Sequence, residues 1–181
     1  MTSPLATEFV VLLDDSGTPI GQHDKATVHS SDTPLHLAFS CHVFNSEGLL
    51  LVTRRALSKK AWPGVWTNSF CGHPGPGESV EEAIFRRAKR ELNIEVLDVR
   101  SALPDFRYRA VDASGVVENE ICPVYTATTT SVPLPADDEV AEFFWADPVA
   151  LVDAVTATPW AFSPWLTLQL PALAAAGLLN R

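Results

Sequence analysis

The chain has 181 residues, 46% of them hydrophobic, which suits a single domain spanning 1–181 with a sizeable core. Its formal net charge of −9 argues against nucleic acid or an anionic membrane as a general partner, and its longest apolar runs are too short to span a bilayer. The N-terminal MTSPLATEF lacks the basic flank and apolar run of a signal peptide, and Cys41, Cys71 and Cys122 are odd in number and widely spaced. That pattern fits reduced thiols in a cytoplasmic protein, not a disulfide framework.

Glu8 to Leu13 reads as an apolar strand that Asp14-Asp15-Ser16-Gly17 turns into a hairpin. Residues 22–36 are polar and hold three of the five histidines. His29 and His36 flank a Ser-Asp-Thr-Pro turn; loop histidines usually bind nothing, and Lys25 beside them reads as a solvated lysine. Leu37 to Phe44 and Leu49 to Thr53 are strands joined at Asn45-Ser46-Glu47-Gly48, with His42 an ordinary strand residue. Arg54 to Lys60 then places four positive charges in seven residues. Such a run is either a solvated loop or a clamp for a small polyanion, and the acidity of the rest of the chain makes it informative.

Residues 67–92 read as a strand, a Gly/Pro turn and a helix. Cys71 and His73 lie two apart, so strand geometry points both to one face. Gly72, Gly75 and Gly77, broken by Pro74 and Pro76, form a turn that bares backbone amides, and Ser79-Val80-Glu81-Glu82 is a capping box. Val80, Ala83, Ile84, Ala88 and Leu92 give the helix an apolar stripe. A strand, glycine turn and helix N-terminus together can cradle a diphosphate.

Farther on, Ile94 to Val99 and Phe106 to Ala110 are strands, and Asp112-Ala113-Ser114-Gly115 turns into a strand from Val116 to Ala127. Glu118 and Glu120 share one face of that last strand, where two carboxylates repel unless a cation or proton lies between them. Cys122 has the same parity and rivals Cys71 as the reactive thiol, although Pro123 suggests that the strand is leaving the site. Phe143-Phe144-Trp145 closes the sheet, Pro148 to Val155 is a helix, and Ser163-Pro164 starts another with Trp165 in its first turn. Pro171 is expected to break that helix.

Gly72 followed after five residues by Glu78 resembles the opening of the Nudix box. The box's later half departs from the hydrolases: Arg86-Arg87-Ala88-Lys89-Arg90-Glu91 keeps one acid, and Asn93 replaces a glycine. Hydrolysis needs several carboxylates to hold its metals, so the box reads as scaffold kept and hydrolase lost.

The segments HSSDTPLHLAF, RALSKKAWPGVWTN, CGHP, FRYRA, ENE and TPWAFSPW, in that order from about residue 8 to residue 168, resemble type I isopentenyl-diphosphate isomerase. The resemblance implies a Nudix-type α/β/α sandwich (α+β) with a mixed central sheet, an N-terminal hairpin extension and C-terminal helices. It implies that His29, His36, His73, Glu118 and Glu120 hold one Mn²⁺, Mg²⁺ or Zn²⁺. Cys71 and Glu120 then handle protons, with Tyr108 sharing the proton of Glu120; Glu120 with Tyr108 is taken as the acid and Cys71 as the base. Trp165 offers its ring face to a carbocation. Lys25, Arg55, Lys59 and Arg87 grip the substrate diphosphate, helped by a second Mg²⁺ that touches Glu91. A monomer or weak homodimer in the cytoplasm is expected. Two other readings stay open: a Nudix diphosphohydrolase, and a diphosphate-binding module without catalysis.

Overall fold

The computed structural model describes residues 8–179, so residues 1–7, where the absence of a signal peptide was read, lie outside the described residues. Strand β1 (Phe9–Leu13) folds back onto β2 (Pro19–Asp24) through a turn in which the Asp14 carboxylate accepts from the Ser16 and Thr18 amides. The stretch read as a polar loop contains a one-turn helix, α1 (Lys25–Val28), because the Asp24 side chain caps the Ala26 amide.

Two stretches read as single strands are each broken. The first divides at Ala38 into β3 (His36–Leu37) and β4 (Phe39–Phe44). After β5 (Leu50–Arg55), the short strands β6 (Trp66–Thr67) and β7 (Phe70–Gly72), helix α2 (Val80–Leu92), β8 (Leu97–Leu103) and β9 (Arg107–Val111), the second divides at Cys122-Pro123 into β10 (Val117–Ile121) and β11 (Val124–Thr128). β3 pairs with β10 and β4 with β11, both parallel, so the chain passes from one sheet to the other twice, side by side. Pro123 has no N–H to give to a ladder and stands at one of these changes. The smaller sheet runs β2-β1-β3-β10-β9. The larger runs β12 (Val140–Ala146)-β5-β4-β11-β8, with β6 on β5 and β7 on β4.

Alternation along β4 divides the larger sheet's two faces. Phe39, Cys41 and Val43 pack with Ala83, Ile84, Ala88 and Leu92 of α2, whereas Phe44 packs on the opposite side with Leu166, Leu170 and Leu173 of α4 (Pro164–Ala175) and Val155 of α3 (Pro148–Ala157). Burying an Ile84 or a Leu92 contributes roughly 1.5–3 kcal/mol each. The result is the expected α/β/α layering. Both halves of the capping box form at Ser79 and Glu82, and Asn93 ends α2 in the left-handed region at φ 52°, a conformation asparagine tolerates.

Two boundaries differ from the sequence reading. β8 starts at Leu97 because Ile94 and Val96 are spent in the core beneath the end of α2. Helix α4 runs through Pro171 to Ala175. An interior proline costs about 3 kcal/mol, but Leu166, Leu170 and Leu173 are fully buried on both sides of it, and that packing holds the helix.

Candidate active site

Strand register assembles the histidine–carboxylate cluster. Glu120 on β10 pairs with His36 on β3 and with Tyr108 on β9, so the three lie in one row across neighbouring strands. His29 follows α1 and His73 follows β7. The three imidazole rings surround one point, with centroids 5.1 to 5.5 Å apart. One ligand atom each from His29, His36, His73 and Glu120 lie within 4.8 Å of one another. Glu118 stands at the edge of the set, its Oε2 3.0 Å from His29 Nε2.

The donor set fits a cation. His36 Nδ1–H donates to the Pro34 carbonyl at 2.9 Å, which leaves the Nε2 lone pair facing His73 Nε2 at 3.3 Å. His29 Nε2 and Glu118 Oε2 are close but not aligned for a hydrogen bond, and both are buried without a hydrogen-bond partner among the described residues. Buried atoms of this kind are costly unless an ion or proton joins them. The cluster could hold a divalent metal.

The cations predicted for the diphosphate line the same cleft of about 320 Å³: Lys25, Arg55, Lys59 and Arg87. Most have protein carboxylates already. Lys25 pairs with Glu8, Lys59 with Glu139, and Arg87 with both Glu91 and Glu139. Arg55 instead donates to the carbonyls of Ala61 and Trp62 and lies 5.3 Å from the centre of the Trp165 ring. Burial disfavours charge on Arg87, but Glu91 and Glu139 outweigh it and raise its pKa; burial and Arg87 together lower that of Lys25. Gly72 leaves room for Arg87 at the cleft, because a Cβ there would meet Arg87 Cγ at 2.8 Å and the Phe39 ring at 2.9 Å.

Beyond His73 the glycine turn does not line the cleft. The amide of Gly75 donates to Glu78 and that of Ser79 to Glu82, and the cleft reaches only Gly72 and His73 of this segment. Arg86 is held by Glu78 and donates to the His73 carbonyl, while Arg90 pairs with Asp138 at the surface. Of the three basic residues at box positions 86, 87 and 90, Arg87 faces the cleft.

Cys71 lines the cleft; Cys122 is buried behind it and does not. Asn68 ties the thiol to an aromatic wall: its Oδ1 accepts from Cys71 Sγ at 3.2 Å and from Trp165 Nε1 at 2.9 Å, while its Nδ2 is fixed by the Cys41 and Phe70 carbonyls. Tyr108 and Trp62 flank Trp165 at centroid distances of 5.8 and 5.6 Å.

The resting protonation places a proton on sulfur and not on the Glu120 carboxylate. Burial, reinforced by the Glu120 charge, pushes the Cys71 thiol up to about 12. Burial also opposes charge on Glu120, but hydrogen bonds from His36 and His73 win and hold it well below the usual carboxylate range. Burial and the Glu120 charge raise both Glu118 and Tyr108, and burial pushes His73 down to about 3. The site as it stands holds an S–H beside a carboxylate.

Glu139, Asn68, Ser40 and Gln169 were not singled out in the sequence. Glu139 sits in a loop that reads as generic polar surface. Gln169 left a signal: it is a polar residue on the buried stripe of α4, between Leu166 and Leu173.

A histidine–carboxylate cluster that could hold a metal lies on strands and loops, beside a helix that carries Arg86, Arg87 and Arg90. A NUDIX domain model matches residues 34–166. A solved protein from Deinococcus radiodurans shares the fold with a TM-score of 0.72, at 21% identity over 91% of this chain and 98% of its own. The MutT protein from Methanosarcina mazei Go1 does so at 0.62, with 14% identity over 80% and 96%. The fold is therefore that of the NUDIX domain. Within that class the chain belongs to the isopentenyl-diphosphate Delta-isomerase family: it is 68% identical to the Leifsonia xyli subsp. xyli member over 97% of this chain and 95% of that one, and 57% identical to the Escherichia coli O1:K1 / APEC member over 91% of each.

Among the described residues, no helix is long and apolar enough to cross a membrane.

Proposed function

We propose that this protein interconverts isopentenyl diphosphate and dimethylallyl diphosphate by adding one proton to the terminal alkene carbon and removing another from the neighbouring methylene. The observation that carries this reading is a single cleft lined by Cys71, Glu120, Trp165 and the Lys25/Arg55/Lys59/Arg87 cations. No net proton is consumed, so the site needs one group that gives and one that takes. Cys71 begins with its proton and Glu120 without, which makes sulfur the donor and the carboxylate the acceptor in the forward direction; the reverse reaction exchanges the roles. Tyr108, beside Glu120 in register, shares the proton that Glu120 takes.

Protonation leaves a tertiary carbocation. The Trp165 ring supports it, an attraction worth on the order of 2 kcal/mol when desolvated, and its face already attracts the Arg55 guanidinium. Water is kept away by the Tyr108 and Trp165 rings, which line the cleft and pack against each other. The diphosphate is a handle for Lys25, Arg55, Lys59 and Arg87, which positions the alkene for transfer.

His29, His36, His73, Glu118 and Glu120 would hold Mn²⁺, Zn²⁺ or Mg²⁺, with nitrogen donors favouring the transition metals, and Glu91 would help hold a second Mg²⁺ carried with the diphosphate. A bound cation supplies charge that neutralises the paired carboxylates and keeps Glu120 ionised. Three cysteines outside any disulfide fit a cytoplasmic setting, and the substrate is a small diphosphate bound by one chain or a weak homodimer.

Proton NMR of isopentenyl diphosphate in D₂O with the protein and divalent metal tests the proposal. Deuterium should enter the product methyl group with no release of phosphate or diphosphate. Phosphate release with no deuterium in the alkene would overturn it in favour of a diphosphohydrolase.

A further inference from the structure

Behind the cleft, on the α4 side of the larger sheet, lies a polar row that the reaction described above does not use. Ser40, His42 and Gln169 are fully buried among the apolar residues of that face. Polar groups in such a layer are tolerated only when paired. His42 Nε2 stands 3.0 Å from Gln169 Oε1, and Gln169 Nε2 donates to Ser40 Oγ at 2.9 Å. Ser40 Oγ lies 3.3 Å from Cys71 Sγ and 3.5 Å from Cys122 Sγ. Register is the cause: Ser40 on β4 pairs directly with Cys71 on β7.

The direction of the row follows from its first member. His42 Nδ1 is buried with no partner among the described residues. An orphaned N–H is rarer and costlier than an orphaned acceptor, so the ring proton sits on Nε2 and donates to Gln169 Oε1. That orientation turns the amide NH₂ toward Ser40, whose oxygen must accept. The Ser40 hydroxyl proton is thereby left for sulfur, the nearer being Cys71. Cys71 in turn gives its S–H to Asn68. All the protons point one way, from His42 to Asn68.

We propose that Gln169, backed by His42, is a positioning residue for the proton transfer: it compels Ser40 to donate to Cys71 Sγ. This holds the thiol in one orientation, with its S–H turned to the Asn68 amide that also anchors Trp165, and it supports the electron pair left on sulfur when the proton departs. The inference rests on the reading of Cys71 as a proton-handling group. Neither Ser40 nor Gln169 lines the cleft, so the effect belongs to turnover and not to substrate binding.

The test is Gln169→Glu. A carboxylate there still accepts from His42 but has no N–H for Ser40, so the hydroxyl turns back to it and stops donating to sulfur. The expected result is a fall in kcat on the order of tenfold with KM unchanged, below the loss for an oxyanion-hole donor because sulfur is the weaker acceptor. The Cys71 S–H infrared band, assigned by its disappearance in Cys71→Ala, should rise in frequency. Ser40→Ala should raise the same band and carries the test if the glutamate variant does not fold. An unmoved band in a folded variant, or a loss of kcat accompanied by an equal rise in KM, overturns the proposal. If the unmodified protein does not isomerise the substrate, the functional reading fails, and the infrared band still decides whether the row is directed as described.

Discussion

The two walls of the cleft present opposite electrostatic arrangements. On one, Lys25, Lys59 and Arg87 already have carboxylate partners in Glu8, Glu91 and Glu139, so the charges balance before any ligand arrives. On the other, three imidazoles and two glutamates crowd together, and His29 Nε2 and Glu118 Oε2 are buried without a hydrogen bond. The first wall can fold complete, and on the proposed function a phosphate would have to displace a glutamate from it. The second could be completed by a cation or by a shared proton. One wall is thus balanced by its own ion pairs, and the other keeps two buried atoms without a hydrogen bond.

The comparison breaks most visibly at Glu120, which belongs to the second wall and to the chemistry at once. Glu120→Gln keeps the shape but removes the proton acceptor and a ligand charge. Isomerisation should fall by roughly 10²–10⁴-fold, the range for losing a positioned acid or base, as read from deuterium incorporation by NMR. A variant that retains full rate would remove Glu120 from the mechanism. Chelation should act on the same wall through stability. A metal held at a hundred times its Kd contributes about 2.7 kcal/mol, so stripping it should lower Tm by several degrees, and His29→Ala should abolish the difference between the loaded and stripped forms. Equal melting with and without chelator would mean that the cluster is satisfied by protons alone.

How far each wall could be read in advance follows the same division. The i, i+2 pairs Cys71/His73 and Glu118/Glu120 are legible because strand parity is local, and the capping box at Ser79 and the Ser163-Pro164 start of α4 are local too. The breaks at Ala38 and Cys122 were hidden, since an apolar run does not record that its two halves join different sheets. Pro171 misled because tertiary packing of α4 outweighs a local preference. The counter-charge Glu139 is supplied to Lys59 and Arg87 only by folding, 80 and 52 residues away along the chain. The resting proton on Cys71 likewise depends on burial that no motif shows.

Acid should separate the buried histidines from one another. Burial lowers His42 to about 4 from its ordinary 6.5, so the unfolded chain binds more protons between those values and stability falls as pH drops through that window. The full loss for this one residue is about 3 kcal/mol. His73, held down to about 3, adds a loss of the same sign in metal-free protein. His36 works the other way: Glu120 outweighs the effect of burial and raises it, so its contribution is in place below 6.5 and disappears as pH rises through its folded value. Urea midpoints from pH 7 to 4 should fall, and His42→Gln, which keeps a donor toward Gln169 but cannot titrate, should flatten the slope. An unchanged slope in that variant would put the acid sensitivity elsewhere.

The smallest effect expected is also the sharpest test of the first wall. If Glu139 stands where a phosphate must compete, then Glu139→Gln should weaken the resting fold and strengthen the complex. Lys59 would lose its carboxylate while Arg87 keeps Glu91, so the stability cost should be on the order of 1–3 kcal/mol. Inorganic diphosphate should bind roughly three- to tenfold tighter, about 1 kcal/mol, because less attraction within the protein must be given up. Titration calorimetry with diphosphate, beside thermal melts of the free protein, measures both quantities on one sample. Weaker diphosphate binding in the variant would show instead that Glu139 orients Lys59 and Arg87 for the ligand, and the balance described for this wall would then be a scaffold for binding, not a competitor to it.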